Sequence, residues 1–310
     1  MGNTYVLYNP LSGNGKGEDD ARLLEVVLPE PVFFFDMTRI TNYTVFLGGM
    51  ESSDRLIIAG GDGTLNRFVN DTAGIDIAQE ILYFPIGTDN DFAREFGKQD
   101  YGDPFPITKY LKALPTVEVK GKCYRFLNGV GFGIDGYSCE EGDRLRQIPD
   151  KKVNYTAIAI KGLLFHFAAR NASVTVDGQE YTYKKVWIAP TMYGKYYSGG
   201  MLPAPEQDRC NPDKTLSVML CHGAGRLRTL CAFPGIFKGT HVKRKKMVAI
   251  HTGHEIRVEF DRPTPLQIDG ETISDVTGYM VRSSKCQTNT KRAHCGESVF
   301  YPHRERSLIS

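Results

Sequence analysis

The chain has almost no net charge, no paired-cysteine motif and no long apolar run, and each absence excludes a class of protein. Lys and Arg number 38 against 36 Asp and Glu, a net charge of +2. That balance argues against a dedicated nucleic-acid binder. The seven cysteines (Cys123, Cys139, Cys210, Cys221, Cys231, Cys286 and Cys295) are odd in number, and none stands in Cys-x-x-Cys spacing. Zinc ribbons and redox motifs therefore find no support. So few cysteines in 310 residues do not suggest a disulfide scaffold, and a reducing compartment is the better reading. The start, Met1-Gly-Asn-Thr-Tyr5, lacks the basic and apolar regions of a secretory signal. A cytoplasmic chain is expected, and the sequons at Asn42, Asn154 and Asn171 read as chance matches. The longest apolar candidate, Tyr155–Ala169, is interrupted by Lys161 and His166 and is too short to cross a bilayer.

What remains is ordinary globular composition: 41% hydrophobic, 24% charged and 11% aromatic. Disorder and collagen-like repeats are excluded, and the length fits about two domains. The first third repeats one pattern. The apolar runs Tyr5–Tyr8, Leu56–Ala59 and Ile81–Phe84 each lead into a tight loop and a helical stretch. This predicts an N-terminal α/β, Rossmann-like domain over residues 1–120 with a parallel sheet. All three loops would share the carboxyl edge of that sheet, where ligands bind.

Residues 121–280 read as a β-rich, antiparallel, sandwich-like domain, with strands at Arg125–Gly133, Ser173–Val176, Tyr181–Pro190, Leu216–Cys221, Glu255–Phe260 and Leu266–Ile268. Asp177-Gly178 signals a hairpin. Helices are expected at Asn154–Arg170 and Arg226–Lys238. The tail, 281–310, is expected to pack back on the first domain, with an active site in the cleft between the two.

Gly60-Gly-Asp-Gly-Thr64 carries the strongest chemical signal. Glycines leave backbone N–H groups open to phosphate oxygens, and a following helix adds its N-terminal dipole. The plain alternative is a turn with a capping Asp, but three glycines directly after a buried strand exceed what a turn needs. Ser12-Gly-Asn-Gly-Lys16 is weaker and is not a Walker A loop. Gly131-Phe-Gly-Ile-Asp-Gly136 formally matches Gly-x-Gly-x-x-Gly, but no clear helix follows, and a dinucleotide reading is rejected. Asp269-Gly-Glu271 fits a hairpin turn. Lys243-Arg-Lys-Lys246 fits a solvated face, or else an anionic lipid surface.

In order, these motifs resemble the diacylglycerol kinase catalytic-domain family, which includes bacterial lipid kinases and sphingosine kinases. The carriers are Asn9-Pro-x-Ser-Gly13, Gly60-Gly-Asp-Gly-Thr-Leu-Asn66, Gly87-Thr-x-Asn-Asp-Phe-Ala-Arg94, Ser198-Gly-Gly with Pro203-Ala-Pro205, and Asp269-Gly-Glu271. The resemblance spans about residues 4–280. It implies ATP as phosphoryl donor, Mg2+, and a lipid hydroxyl as acceptor at a membrane surface. It allows a homodimer and implies no nucleic acid.

The ATP contacts it implies are Asn9, Pro10, Ser12, Gly13, Lys16, Thr38, Gly60, Gly61, Asp62, Gly63, Thr64, Asn66, Thr88 and Arg94. Glu271 matches the general base of bacterial members, and Asp62 matches the residue assigned that role in sphingosine kinases. Cys210, Asp213 and Thr215 match a loop that holds a structural Mg2+. Lys243, Arg244, Lys245 and Lys246 are candidates for the membrane-facing rim, beside an apolar groove within Val153–Ala169. Two positions depart from the family. Arg67 stands where Glu is usual, and Ser217 where Asp is usual. The competing readings are a kinase of a soluble acceptor related to NAD kinases, and a nucleotide-binding regulator without turnover.

Overall fold

Short apolar runs ending in glycine-rich turns build the N-terminal sheet. The computed structural model describes residues 2–98, 102–148 and 153–286. Strands β1 (Thr4–Tyr8), β2 (Val32–Asp36), β3 (Arg55–Gly60), β4 (Glu80–Pro85) and β5 (Phe105–Pro106) lie in the order β2-β1-β3-β4-β5. All pairings are parallel except β4 with β5. Leu7, Leu56 and Ile58 enter one core while Val6, Ile57 and Ala59 enter the other. A sheet covered on both faces reads as continuous apolar runs, which is why β1, β3 and β4 are visible in the sequence. The unexpected β2 is an edge strand with Phe33 46% exposed, so no clean pattern marks it.

Two helices follow these strands at the carboxyl edge, α1 (Asp62–Asp71) after β3 and α2 (Asp91–Arg94) after β4.

The remaining strands form one antiparallel sheet: β6 (Thr116–Val119), β7 (Lys122–Arg125), β8 (Gly129–Phe132), β9 (Arg170–Val176), β10 (Gln179–Val186), β11 (Thr191–Met192), β12 (Leu216–Cys221), β13 (Val248–Gly253), β14 (Glu255–Ile268) and β15 (Glu271–Arg282). β14 pairs with β8, β9 and β15 and so joins its branches. Asp177 and Gly178 take φ of 47° and 87° between β9 and β10, as the hairpin reading requires. β15 escapes sequence reading because its pairing shifts register and Asp275 is left-handed, with φ 54°. The described part of the C-terminal segment ends with β15 on β6. The expected packing of the tail falls mainly outside the described residues.

One expectation is corrected. A helix does follow Gly133: α3 (Ile134–Arg146). It is hidden because glycines stand where apolar contacts would mark a helix. A Cβ on Gly136 would stand 2.0 Å from the Pro265 carbonyl oxygen, and one on Gly142 would stand 2.4 Å from the Tyr155 ring. The glycines let α3 lie directly against β14 and against α4 (Tyr155–Lys161). α4 continues as a π-helical turn, Gly162–His166, so the helix stops short of the expected Arg170. α5 (Arg226–Ala232) and α6 (Pro234–Phe237) occupy the second expected helical stretch.

Leu163, Phe167, Trp187, Ile188, Phe233 and Ile236 belong to the core between this helical layer and the sheet. Cys139, Cys210, Cys221, Cys231 and Cys286 are free thiols. Among the described residues no helix is long and apolar enough to cross a membrane.

Candidate active site

The three loops of the parallel sheet meet at its carboxyl edge. Ser12 Oγ lies 2.8 Å from Thr64 Oγ1, joining the loop after β1 to the start of α1. The loop after β4 packs glycine to glycine on the loop after β3. A Cβ on Gly87 would fall 2.4 Å from Gly61 Cα, and one on Gly61 would fall 3.1 Å from Gly87 Cα. Asn90 closes the second of these loops. It adopts φ 48°, a conformation that Asn tolerates better than most residues. Its Oδ1 accepts from Gly87 N at 3.0 Å, and its Nδ2 donates to Gly87 O at 2.9 Å.

Asp62 is the hub. Its Oδ2 accepts from Asp91 N at 2.7 Å, and its Oδ1 accepts from Phe92 N at 2.9 Å and Asn128 Nδ2 at 3.2 Å. One carboxylate thus holds α1, α2 and the approach to β8 together. Asp91 lies beside it, with Oδ2 accepting from Gly199 N at 2.8 Å. Burial, then the neighbouring Asp62 charge, pushes the Asp91 carboxyl up to about 8. Its Oδ1 has no hydrogen-bond partner and faces Arg94 Nε at 3.6 Å. Arg94 packs on the Ser198–Gly200 turn, where a Cβ on Gly200 would meet its Nη1 at 3.0 Å, and lies over the Tyr196 ring.

The second domain supplies Glu271, the first residue of β15. A Cβ on Gly63 would stand 3.6 Å from Glu271 Oε1. The turn that delivers it is held by Asp269, whose buried carboxylate accepts from Leu127 N, Asn128 N, Gly129 N and Asn66 Nδ2 at 2.6–2.9 Å. The hairpin reading and the chemical reading of Asp269-Gly-Glu271 are therefore compatible. Asp269 fixes the turn, and Glu271 is exposed beside the phosphate loop.

The structure therefore brings together Ser12, the Gly60–Thr64 loop, Arg94 and Glu271, with Gly13 close to the Ile86 carbonyl. Asn9 uses its Oδ1 to accept from Leu11 N, beside Pro10. Thr38 sits past the end of β2, bound to Asp36 through its N and Oγ1. Thr88 and Lys16 are exposed. Asn66 is fully buried and its amide is engaged by Asp269, so a nucleotide contact by that side chain would require this bond to break. Arg67, which stands where Glu is usual, pairs with Asp71 along α1 at 3.3 Å.

The residues expected to hold a structural Mg2+ do not fit that ion. Asp213 is 75% exposed and pairs with Lys285 Nζ at 3.0 Å. Lys214 Nζ donates to the Arg209 carbonyl at 2.9 Å, and the Thr215 carbonyl accepts from Gln207 Nε2 at 3.0 Å. Ser217 bonds Thr252. Protein ammonium and amide groups already serve the acceptors that a cation would take. Cys210 is an exposed thiol on the same loop. Among the described residues no group of three or more His, Cys, Asp or Glu could hold a metal. Lys243–Lys246 is exposed and lies in the chain between α6 and β13, and among the described residues no contact joins it to the loops of the first domain.

Sequence reading missed two site-building residues. Asn128 bridges Asp62 and Arg209. Arg209 is 1% exposed, paired with Glu95 Oε2 at 2.6 Å and stacked over Phe92 at 4.4 Å. A lone Arg in a polar loop carries no local sign of burial. Asp91, by contrast, lay inside a motif already recognised.

Family comparison agrees with this architecture. Residues 3–116 match the diacylglycerol kinase catalytic domain, and residues 128–285 match the YegS C-terminal NAD kinase beta sandwich-like domain. A diacylglycerol kinase of Mycobacterium tuberculosis (strain ATCC 25618 / H37Rv) is 28% identical over 269 residues, covering 78% of this chain and 81% of that protein. A diacylglycerol kinase of Staphylococcus carnosus (strain TM300) is 25% identical over 296 residues, covering 86% and 87%. The crystal structure of a diacylglycerol kinase from Bacillus anthracis str. Sterne superposes with a TM-score of 0.54 at 18% identity, over 91% of this chain and 93% of that one; this likeness bears on the fold.

The fold and loops define a two-domain phosphotransferase. The chain belongs to the diacylglycerol kinase catalytic-domain family, a lipid kinase family, and carries the YegS-type C-terminal domain.

Proposed function

We propose that this protein transfers the γ-phosphoryl group of ATP to the hydroxyl of a diacylglycerol-like or sphingoid-like lipid. The observation that carries this reading is Glu271, brought from the second sheet to within contact range of Gly63 in the phosphate loop. Phosphoryl transfer needs positioning and charge neutralisation more than covalent chemistry. In this reading the amides of Gly60–Thr64, at the N-terminus of α1, hold the donor phosphates together with Asn9–Gly13 and Thr88. Bound Mg2+ would neutralise phosphate charge, and it characteristically uses only one or two carboxylates beside the phosphates themselves. The fit here is Asp91, whose Oδ1 lacks a hydrogen-bond partner. In this reading Arg94 and Lys16 would stabilise charge on the transferred group.

A general base has to reach the proton of the acceptor hydroxyl. Both oxygens of Asp62 already accept hydrogen bonds, from three donors in all, so its role is to position the loops. Glu271 approaches from the acceptor side and takes the hydroxyl proton. Glu271→Gln is expected to bind ATP nearly as the parent does while kcat falls about 10²-fold or more. The assay follows labelled phosphate from ATP into a lipid extract, with nucleotide affinity measured by titration. Parental kcat in the folded variant would move the base to Asp62. Absence of any labelled lipid from the parent would end the reading.

A further inference from the structure

The two segments that roof the second sheet contain no acidic residue. Residues 153–170 and 222–254 together hold nine Lys or Arg and no Asp or Glu. The rest of the chain is therefore negative by about seven charges, although the whole carries only +2. The segregation coincides with the fold, because α4, the π-helical turn, α5, α6 and the 3-10 turn Thr240–Lys243 all lie in these segments, and α4, the π-helical turn, α5 and α6 contribute to one core against the sheet.

The layer also exposes large apolar side chains. Phe165 is 70% exposed on the π-helical turn, and Leu227 is 73% exposed at the start of α5. The two elements are held together by Arg226, whose Nη1 donates at 2.7 Å to both the Leu163 and Phe167 carbonyls while its guanidinium lies over Trp187. Buried anchoring beneath exposed apolar tips makes a rigid surface rather than a loose loop. Lys161, Arg228, Lys238 and Lys243–Lys246 lie on the same two segments, all exposed, with Glu141 of α3 close enough to Lys161 and His166 to feel their charge.

We infer that this helical layer is the face that docks on an anionic lipid bilayer, with Phe165 and Leu227 entering the interface and the basic residues meeting lipid headgroups. Exposed aromatic and aliphatic tips on segments whose own charges are all positive match an interface that is apolar inside and negative at its surface. The inference rests on the lipid-acceptor reading for its choice of a bilayer as occupant. It differs from the sequence expectation of an open groove within Val153–Ala169, since Ile158, Ala159, Leu163 and Phe167 are buried in the core.

The test is co-sedimentation of the full chain with vesicles of phosphatidylcholine alone and of phosphatidylcholine with phosphatidylglycerol. The parent should bind the anionic vesicles, and more weakly as salt rises. Phe165→Ser with Leu227→Ser should weaken binding about tenfold or more. Arg228→Gln and Lys245→Gln should each cost about fivefold and flatten the salt dependence. Val26→Ser with Val45→Ser, exposed at 87% and 71% on the first domain, should leave binding unchanged. Equal binding of the parent to both vesicle types would overturn the inference, as would equal losses from the two serine pairs. Phosphorylation of a dispersed short-chain diacylglycerol is measured in parallel. Such activity without vesicle binding removes the docking face and leaves the kinase reading. Vesicle binding with the expected variant losses, but no phosphorylation of any lipid, upholds the face and removes that reading.

Discussion

Asp91 and Asp135 are both shaped by burial, and they serve different ends. Asp91 sits in the loop cluster, raised by desolvation and by Asp62. Asp135, in the first turn of α3, lies apart from those loops and accepts from Tyr197 Oη at 3.0 Å. Burial pushes its carboxyl up to about 6, with the Tyr197 hydrogen bond opposing the shift. The sign follows directly. A carboxyl that binds its proton more tightly when folded stabilises the fold below its unfolded value near 3.8, and that contribution is lost as pH rises to about 6. The stability of Asp135→Asn relative to the parent should therefore improve by about 2 kcal/mol between pH 4 and pH 6 and level off above about pH 7. Urea unfolding across that range checks this. A difference that does not change with pH would mean that Asp135 is not shifted.

At the scale of elements, the site depends on how closely two strand-to-helix loops approach. Gly87 and Gly61 are backbone to backbone, so a methyl group at Gly87 meets Gly61 Cα at 2.4 Å and Asn90 Oδ1 at 2.8 Å. Main chain cannot rotate aside as a side chain would. Gly87→Ala should destabilise the protein by about 1–3 kcal/mol and weaken nucleotide binding. Gly63→Ala is the informative control, because its methyl group makes only an ordinary contact with Glu271 at 3.6 Å. That variant should melt close to the parent. Equal losses in the two variants would show that the tight contact between these loops is unimportant. The same principle explains α3, whose glycines serve packing and so hide the helix from periodicity.

Across the whole molecule the two sheets share a continuous core. Leu65, Phe68 and Val69 of α1 belong to the same cluster as Phe126, Val130 and Leu266 of the second sheet. Polar groups reinforce the junction, with Asn66 on Asp269 and Arg209 on Glu95. Arg209 belongs to the loop between β11 and β12, whereas Glu95, Phe92 and Phe96 belong to the first domain. Removing one member of a buried pair strands the other charge. Arg209→Met should lose about 3–5 kcal/mol in urea unfolding, and adding Glu95→Gln should recover part of it. Full additivity of the two substitutions would refute their coupling.

The loops were legible because each is local: an apolar strand, glycines and a helix start follow one another within about a dozen residues. The family motifs lie on those loops, on the loop between β11 and β12 and on the turn at Asp269-Gly270, each readable as a local stretch of chain. Long-range geometry had no such signature. That Glu271 stands beside Gly63, over 200 positions earlier, follows from the pairing of β14 with β8 and β15. That Asn66 ties domains together, and that Lys285 pairs with Asp213, follows from which atoms the folded chain brings within hydrogen-bonding distance. Hydropathy cannot reveal a buried Arg209, because its burial is made favourable by a carboxylate and three aromatic rings from elsewhere in the chain. Local sequence sets backbone preference and chemistry, whereas partnership across hundreds of residues exists only once the core has closed.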